Sequence, residues 1–353
     1  MGKRRTTPIR ATIGAAALAA GTALLAVPAM AQAGTGSAGS ASAPASVLVH
    51  LPADQAAHAG AANEWWYVVG HLQSHGHLFG YEVQLIAQTN ALGGSPTPPE
   101  TEIAITDQTT GQYYTHTSFY DPSQTSFSTT TLDESEPTAS LSGPMNAMHL
   151  HATMPAGTID VTLDALGPVL YNYGTGLMPY LGGSSYYYSL PSAATTGTLV
   201  ENGQSYPVTG QSWVDHQWGS WDWSTLQKYT WMSFQLSDGD RVDLFDSFTS
   251  GTENSFATVL HPDGTEQVVA VDPLAPGTSD FWTSPNTGQR FGTQWQVHIP
   301  SLNASLIVRA YPQQQEILDA GGIFEGASAV AGSYRGHLVV GQAYVEQIGN
   351  WQP

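Results

Sequence analysis

Cysteine is absent from this chain of 353 residues, and cationic side chains are scarce. Without cysteine there are no disulfides, zinc–thiolate centres, thiol nucleophiles or dithiol redox couples. An exported protein of this composition must hold itself by its core alone, and the length suffices for one large or two ordinary domains. Lys and Arg number nine against 28 Asp and Glu, a formal net charge of −19. A chain this acidic repels nucleic acid and anionic membrane surfaces, which need a positive footprint. Helical periodicity is missing too: no long stretch carries apolar residues at i, i+3, i+4, i+7. The body has no Gly-x-Ser-x-Gly elbow, no phosphate-cradling glycine loop and no dinucleotide fingerprint.

What is present begins with a leader. Lys3, Arg4, Arg5 and Arg10 form a positive head, Ala11 to Val27 is uncharged and mostly apolar, and Ala29-Met30-Ala31 and Ala31-Gln32-Ala33 offer small residues for cleavage. That order reads as an export signal over residues 1–33, and Arg4-Arg5 raises the twin-arginine route. The apolar run is shorter than the roughly 20 residues needed to span a bilayer, so no stable membrane span is expected. A Gly/Ala/Ser linker follows over 34–46. Four of the nine cations leave with the leader; five against 28 acids give a secreted or extracytoplasmic protein of net charge about −23.

Beyond the linker, short runs rich in Val, Ile, Thr, Tyr, Phe and Trp alternate with turn residues, the pattern of strands. Glu64–Leu72 and Leu78–Gln88 flank Ser74-His75-Gly76, Thr198–Glu201 and Ser205–Trp213 flank Asn202-Gly203, and Tyr229–Leu236 and Arg241–Thr249 flank Asp238-Gly239. Asn-Gly and Asp-Gly favour hairpins because the turn needs positive φ. The expectation is an all-β chain of two antiparallel β-barrel domains in tandem, 47–193 and 194–353, with a boundary near Ser192–Thr196.

The densest chemical signal is the segment from Ser212 to Trp223, which holds Trp213, Asp215, His216, Trp218, Trp221, Asp222 and Trp223. On a strand, His216 and Trp218 share one face, while Asp215 and Trp213 share the other. Indole faces can hold a cation or a flat apolar ligand, and an acid or imidazole in dry surroundings acquires a shifted pKa. A tryptophan-rich core corner with a structural Asp–His contact fits the same residues equally well. In Arg241–Thr249 the face Val242, Leu244, Asp246, Phe248 is apolar except for Asp246, a carboxyl that burial would keep neutral and ready to donate a proton. Asp243, on the other face, is its rival, and a structural partner such as Arg309 is the plainer role for Asp246. Glu64, Trp66 and Tyr188 join Trp213, Trp221 and Trp223 as candidate pocket residues. His71, His75 and His77 have metal-like spacing but straddle a turn, and His149 with His151 reads as a satisfied or exposed pair. No metal site and no cofactor is expected.

As a set, certain segments resemble a known family. They are Asn63-Glu64-Trp65-Trp66-Tyr67 with Gly70-His71-Leu72, Gly80-Tyr81-Glu82, Tyr187-Tyr188-Ser189, Val208-Thr209-Gly210, Trp213 to Gly219, Phe324-Glu325-Gly326, and Gly341 to Glu346. This pattern resembles the family of hydroxyneurosporene synthase (carotenoid 1,2-hydratase), AttH-like proteins and kievitone hydratase-like enzymes. The resemblance implies two lipocalin-like barrels with a site near their junction. It implies a hydro-lyase that protonates an alkene of an apolar, isoprenoid- or polyketide-like substrate, steadies the cation on an aromatic ring and captures water. His216 and Trp218 match the hydratase motif. The expected roles are Asp246 as proton donor, Trp218 as cation stabiliser, His216 as water-orienting base and Asp215 as their orienting neighbour. Where the hydratases have a tyrosine two residues before the acid, this chain has Leu244. A non-catalytic carrier of an apolar ligand and a carboxylate-dependent hydrolase are the alternatives.

Overall fold

Strand-forming side chains at every second position, broken by turn residues, give antiparallel meanders. The computed structural model describes residues 46–89, 97–165, 167–318 and 322–349; the export signal over 1–33 and all but the last residue of the 34–46 linker lie outside them. Among the described residues no helix is long and apolar enough to cross a membrane. The first sheet runs, in spatial order, through strands 112–119, 100–107, 77–88, 63–74, 204–220, 183–201, 157–165, 148–154, 139–142, 133–135 and 126–127. The second runs through 266–270, 252–260, 241–249, 226–236, 337–348, 323–334, 304–310, 294–299 and 278–279. The turns fall where the sequence puts them: His75 and Gly76 have φ of 45° and 90°, and Asn202 and Gly203 have 46° and 82°, the doubly positive pair that a tight hairpin requires.

The domain boundary needs correction. Ser192–Thr196 lies inside the strand Gly183–Glu201, which pairs with Gln204–Ser220 on one side and Gly157–Ala165 on the other. The change of sheet falls instead between Ser220 and Leu226. The small residues around Ala193 and Thr195 resemble a linker, but both are buried and hydrogen-bonded into the ladder. The strand 204–220 continues through Gly219, where a Cβ would lie 2.4 Å from the Ser184 carbonyl oxygen.

Three apolar clusters organise the burial. One, with Val68, Leu85, Leu150 and Val161, fills the first sheet. A second, with Val242, Leu244, Trp295 and Leu306, fills the second. The third lies between the sheets and joins Tyr67, Tyr187, Trp213 and Trp221 to Tyr229, Trp231, Phe245 and Tyr344. Hydrogen bonds cross the same junction. The Tyr67 hydroxyl donates to Glu325 Oε2 at 2.6 Å, His71 Nε2 to the Ala343 carbonyl at 3.0 Å, and Arg241 Nε to Ser192 Oγ at 2.8 Å. At Gly80 the two sheets approach so closely that a Cβ on it would sit 2.3 Å from Ala327 Cβ. Gly80→Val should therefore pry the sheets apart and cost about 1–3 kcal/mol, the usual penalty of overpacking. A urea titration checks this; an unchanged midpoint would mean the junction yields without strain.

Candidate active site

The register of two adjacent strands decides what faces what. Between strands 63–74 and 204–220, Trp65 pairs with Gln217 and Tyr67 with Asp215, while Glu64 pairs with Trp218 and Trp66 with His216. Side chains alternate across a strand, so odd-numbered residues here face the second sheet and even-numbered ones face the core of the first. The tandem Trp65-Trp66 thus covers both faces. Asp215 and His216, neighbours in the chain, serve opposite sides.

On the junction side lies a cavity of about 470 Å³. Its walls include Trp65, Tyr180, Tyr187, Trp223, Tyr229, Trp231 and Phe245, with Ile86, Leu226, Ile323 and Ile348 adding aliphatic surface. The polar groups that reach it include Gln84, Gln217, Asp215, Glu100, Glu102 and Glu346. This is the composition of a small-molecule site: concave, mostly apolar and aromatic, with a few polar groups that fix orientation.

The surroundings of the carboxyls here favour their neutral form. Burial pushes Asp215 up to about 7, against hydrogen bonds from Ser189, Tyr187 and Trp213 that pull it down. Tyr187 donates to Asp215 Oδ2 at 2.7 Å and Trp213 Nε1 to Oδ1 at 2.6 Å, so the acid is fixed in orientation. Behind it Asp243 accepts from Trp231 Nε1 at 3.1 Å. Burial, and then the neighbouring Asp215, hold Asp243 well above the usual carboxylate range. Glu346 also rises to about 7 through burial, with Tyr229 as its hydrogen-bond donor and Asp215 as a like charge. Burial drives both Glu325 and Glu82 well up, helped by Glu346 and Glu82 at the first and by Glu102 and Glu346 at the second. Like charges this close cannot all ionise, so the junction holds protons at neutral pH.

Several residues singled out in the sequence lie elsewhere. His216 and Trp218 face the first core and do not border the cavity. Both faces of the Trp218 ring are occupied, by Tyr186 at 5.3 Å between centroids and by His58 at 4.0 Å. His216 stacks on Trp66 at 4.4 Å, and burial pushes its imidazole below the usual range while Glu64 pulls the other way. Asp246 is buried on the second-core side, where it accepts from Ser255 Oγ at 2.7 Å and the Leu274 backbone N–H at 2.9 Å. It anchors a loop, with no part of its carboxyl bordering the cavity. Arg309 is not its partner; it meets Asp280 at 3.5 Å on the surface. Trp66 and Tyr188 belong to the first core and Glu64 to a cluster with His58 and His216. Trp213 and Trp221 support the cavity from behind, and Trp223 lines it, its Nε1 bonded to Asn63 Oδ1 at 3.1 Å. The histidines at 71, 75 and 77 disperse: His71 is buried at the junction, His75 sits on the turn, and His77 stacks near Phe79. His149 and His151 both lean on Asp160, at 3.0 and 3.3 Å, a satisfied surface trio.

Trp65, Tyr67, Tyr187, Tyr229 and Glu346 also line the cavity, and Glu325 stands behind it through Tyr67, none of them expected there from the sequence. A usable signal existed for Glu346. In the 337–348 strand, Ala343 and Val345 are buried in the second core, so Tyr344 and Glu346 must face outward from it.

This architecture and cavity define a class: the chain belongs to the AttH-like family, whose model matches residues 42–350. Among curated relatives it is 26% identical over 215 residues to dehydratase asqC of Emericella nidulans, covering 57% of this chain and 61% of that protein. It is 25% identical over 206 residues to kievitone hydratase of Fusarium solani, covering 55% and 58%. The matches thus span about three fifths of each curated relative. Among solved structures, a protein assigned as AttH from Nitrosomonas europaea superposes with a TM-score of 0.75 at 20% identity, over 88% of this chain and 99% of that one. Kievitone hydratase from Nectria haematococca superposes with 0.71 at 17% identity, over 85% and 93%. The two-sheet all-β fold is the one these proteins share.

Proposed function

We propose that this protein is a hydratase- or dehydratase-type enzyme that works in the cavity between the two sheets on an apolar, isoprenoid- or polyketide-like molecule. The observation that carries this reading is Asp215: a buried carboxyl raised to about 7, oriented by Tyr187 and Trp213, opening onto an aromatic chamber. In the hydration direction, the Asp215 proton passes to one alkene carbon and leaves a cation on the other. Rings such as Trp65 and Trp223 steady that charge through their π faces. Water bonds to the cationic carbon, and its surplus proton returns to the Asp215 carboxylate. Dehydration is the reverse: the acid protonates a hydroxyl, water departs, and the carboxylate removes a proton from the adjacent carbon. A general acid works best when its pKa lies near the operating pH, which a value of about 7 satisfies.

Asp215 replaces Asp246 as the acid in this reading, because Asp246 spends both carboxylate oxygens on structural donors. Two relatives are named for hydration and dehydration, and that agrees with reversible transfer of water. Export, read from residues 1–33, would place the reaction outside the cytoplasm. The test is incubation of the purified protein with a panel of trisubstituted alkenes and the matching tertiary alcohols, followed by mass spectrometry. Gain or loss of one water supports the proposal. Recovery of bound but unchanged molecules would make the protein a carrier.

A further inference from the structure

We propose that His58, Glu64 and His216 form a site for one divalent transition-metal ion of the zinc class, on the strand face turned away from the cavity. This inference does not depend on the reaction proposed above. It begins with His216. Its Nδ1 is 3.0 Å from the Asp54 carbonyl oxygen, which can only accept, so Nδ1 carries the hydrogen. Its Nε2 is 3.0 Å from Glu64 Oε1. A neutral imidazole has one N–H, so the second nitrogen turns a lone pair toward a carboxylate oxygen. That contact needs a proton or a metal ion between the two atoms.

His58 presents a second nitrogen to the same oxygen. Its Nδ1 is 2.8 Å from Glu64 Oε1, and its Nε2 is 3.6 Å from Asp54 Oδ1. Asp54 thus stands behind both rings, offering its carbonyl to one and its carboxylate to the other. The carbonyl contact is the outer hydrogen bond that fixes the tautomer of a metal-bound histidine, while the carboxylate lies near His58 without bonding to it. The His58 backbone N–H, 3.0 Å from each oxygen of Glu64, holds the carboxylate in place. The rings cannot turn away. Trp218 lies parallel to His58, 4.0 Å between centroids at 4°, and Trp66 covers His216 at 4.4 Å and 19°.

The three ligand atoms all lie within 4.8 Å of one another. A zinc ion bonded at about 2.0–2.2 Å needs its ligands roughly 3.3 Å apart, and the two histidine–glutamate contacts, at 2.8 and 3.0 Å, open by a few tenths of an ångström to admit one. With His58 donating its Nδ1 hydrogen to Glu64, one proton held between His216 Nε2 and Glu64 Oε1 is the other way to occupy this cluster, and the titration below separates the two. One metal ion satisfies all three ligands together. Two imidazoles and one carboxylate select zinc, cobalt or iron over calcium and magnesium, which prefer oxygen. The His58 side chain is 26% exposed, which leaves a route for the ion and room for water as a fourth ligand. The ion would fasten the segment carrying Asp54 and His58 to strands 63–74 and 204–220.

The experiment uses the full chain, stripped with a chelator and then titrated with Co²⁺ and Zn²⁺. The expected result is one equivalent bound, a visible d–d band for Co²⁺, and X-ray absorption of the zinc form that reports a nitrogen/oxygen shell containing two imidazoles. His58→Ala and Glu64→Gln should each weaken Zn²⁺ binding at least about 100-fold, beyond what loss of an outer partner does, with circular dichroism confirming the fold. Zn²⁺ should raise the Tm of the unmodified protein and leave that of His58→Ala unchanged, since an ion stabilises only the state that binds it. Absence of stoichiometric binding, an absorption spectrum without imidazole, or binding unaltered in both variants would overturn the site.

Discussion

Asp215→Asn is expected to lower kcat by about 10²–10⁴-fold, the range attributed to a positioned general acid, with KM nearly unchanged. The substitution is close to isosteric. The amide oxygen can still accept from Trp213 Nε1, now 2.6 Å away, and the Tyr187 hydroxyl, 2.7 Å from Oδ2, can rotate to accept from the amide. The cavity walls therefore stay in place, and binding survives while proton transfer stops. An equal fall in kcat and kcat/KM is the signature of a group needed in the transition state alone. In the unmodified enzyme the acid must be protonated, so kcat should be flat at low pH and decline above about 7. Asp246→Asn supplies the contrast. It disturbs the bond to the Leu274 N–H, on the far side of the second sheet from the cavity, so it should lower stability and spare turnover. Steady-state kinetics on both variants, using whichever substrate the water-transfer screen identifies, separates the two acids. Activity retained in Asp215→Asn and lost in Asp246→Asn would return the acid's role to Asp246.

Why the sequence pointed at Asp246 is instructive. Period-two alternation sorted the 241–249 strand correctly: Val242, Leu244 and Asp246 share one side and Asp243 and Phe245 the other. It could not say which side meets the second sheet's own core and which meets the neighbouring sheet. The lone carboxyl on the apolar side looked uncompensated because its donor, the Leu274 N–H, lies 28 residues downstream in a loop. The same ambiguity affected Asp215 and His216, where both faces of the strand are aromatic. The hairpins were legible because Asn202-Gly203 and its like are local signals, written in two residues. The ends of the long strands were not. Ala193 to Gly197 keep extended pairing only because partner strands flank them on both sides, a tertiary cause with no local mark. Glu82, Glu325 and Glu346 come from separate strands and both sheets, so their convergence on one junction is invisible to any window of sequence. His58 is separated from His216 by most of the first sheet.

Stability should fall steeply as pH rises from about 5 to 8. Glu134 and Glu136 are pushed up to about 8 by burial, and Glu266, Glu346 and Asp215 to about 7. Glu82, Glu325 and Asp243 are also held well above their ordinary values, by burial first. In the unfolded chain all of these ionise near pH 4. Between that pH and the folded values the native state binds more protons than the unfolded one, so unfolding becomes easier as pH rises. Each such proton contributes a slope of about 1.4 kcal/mol per pH unit. His71 and His216, whose imidazoles burial pushes down, work in the opposite sense near pH 6.5, but they are outnumbered by the carboxyls. Several protons across the window amount to several kcal/mol, a large share of the roughly 5–15 kcal/mol that holds a typical protein together. Scanning calorimetry should find the Tm highest near pH 5 and lower by about 10 °C at pH 8, at roughly 2–4 °C per kcal/mol for a large domain. Glu82→Gln should lessen that slope and raise the Tm at pH 8, because neither carboxyl oxygen of Glu82 has a hydrogen-bond partner among the described residues and an amide removes the charge that burial opposes. A Tm that climbs between pH 5 and 8 would mean these carboxyls ionise in the folded protein without penalty. Asp215 would then be a carboxylate at neutral pH, with no proton to give.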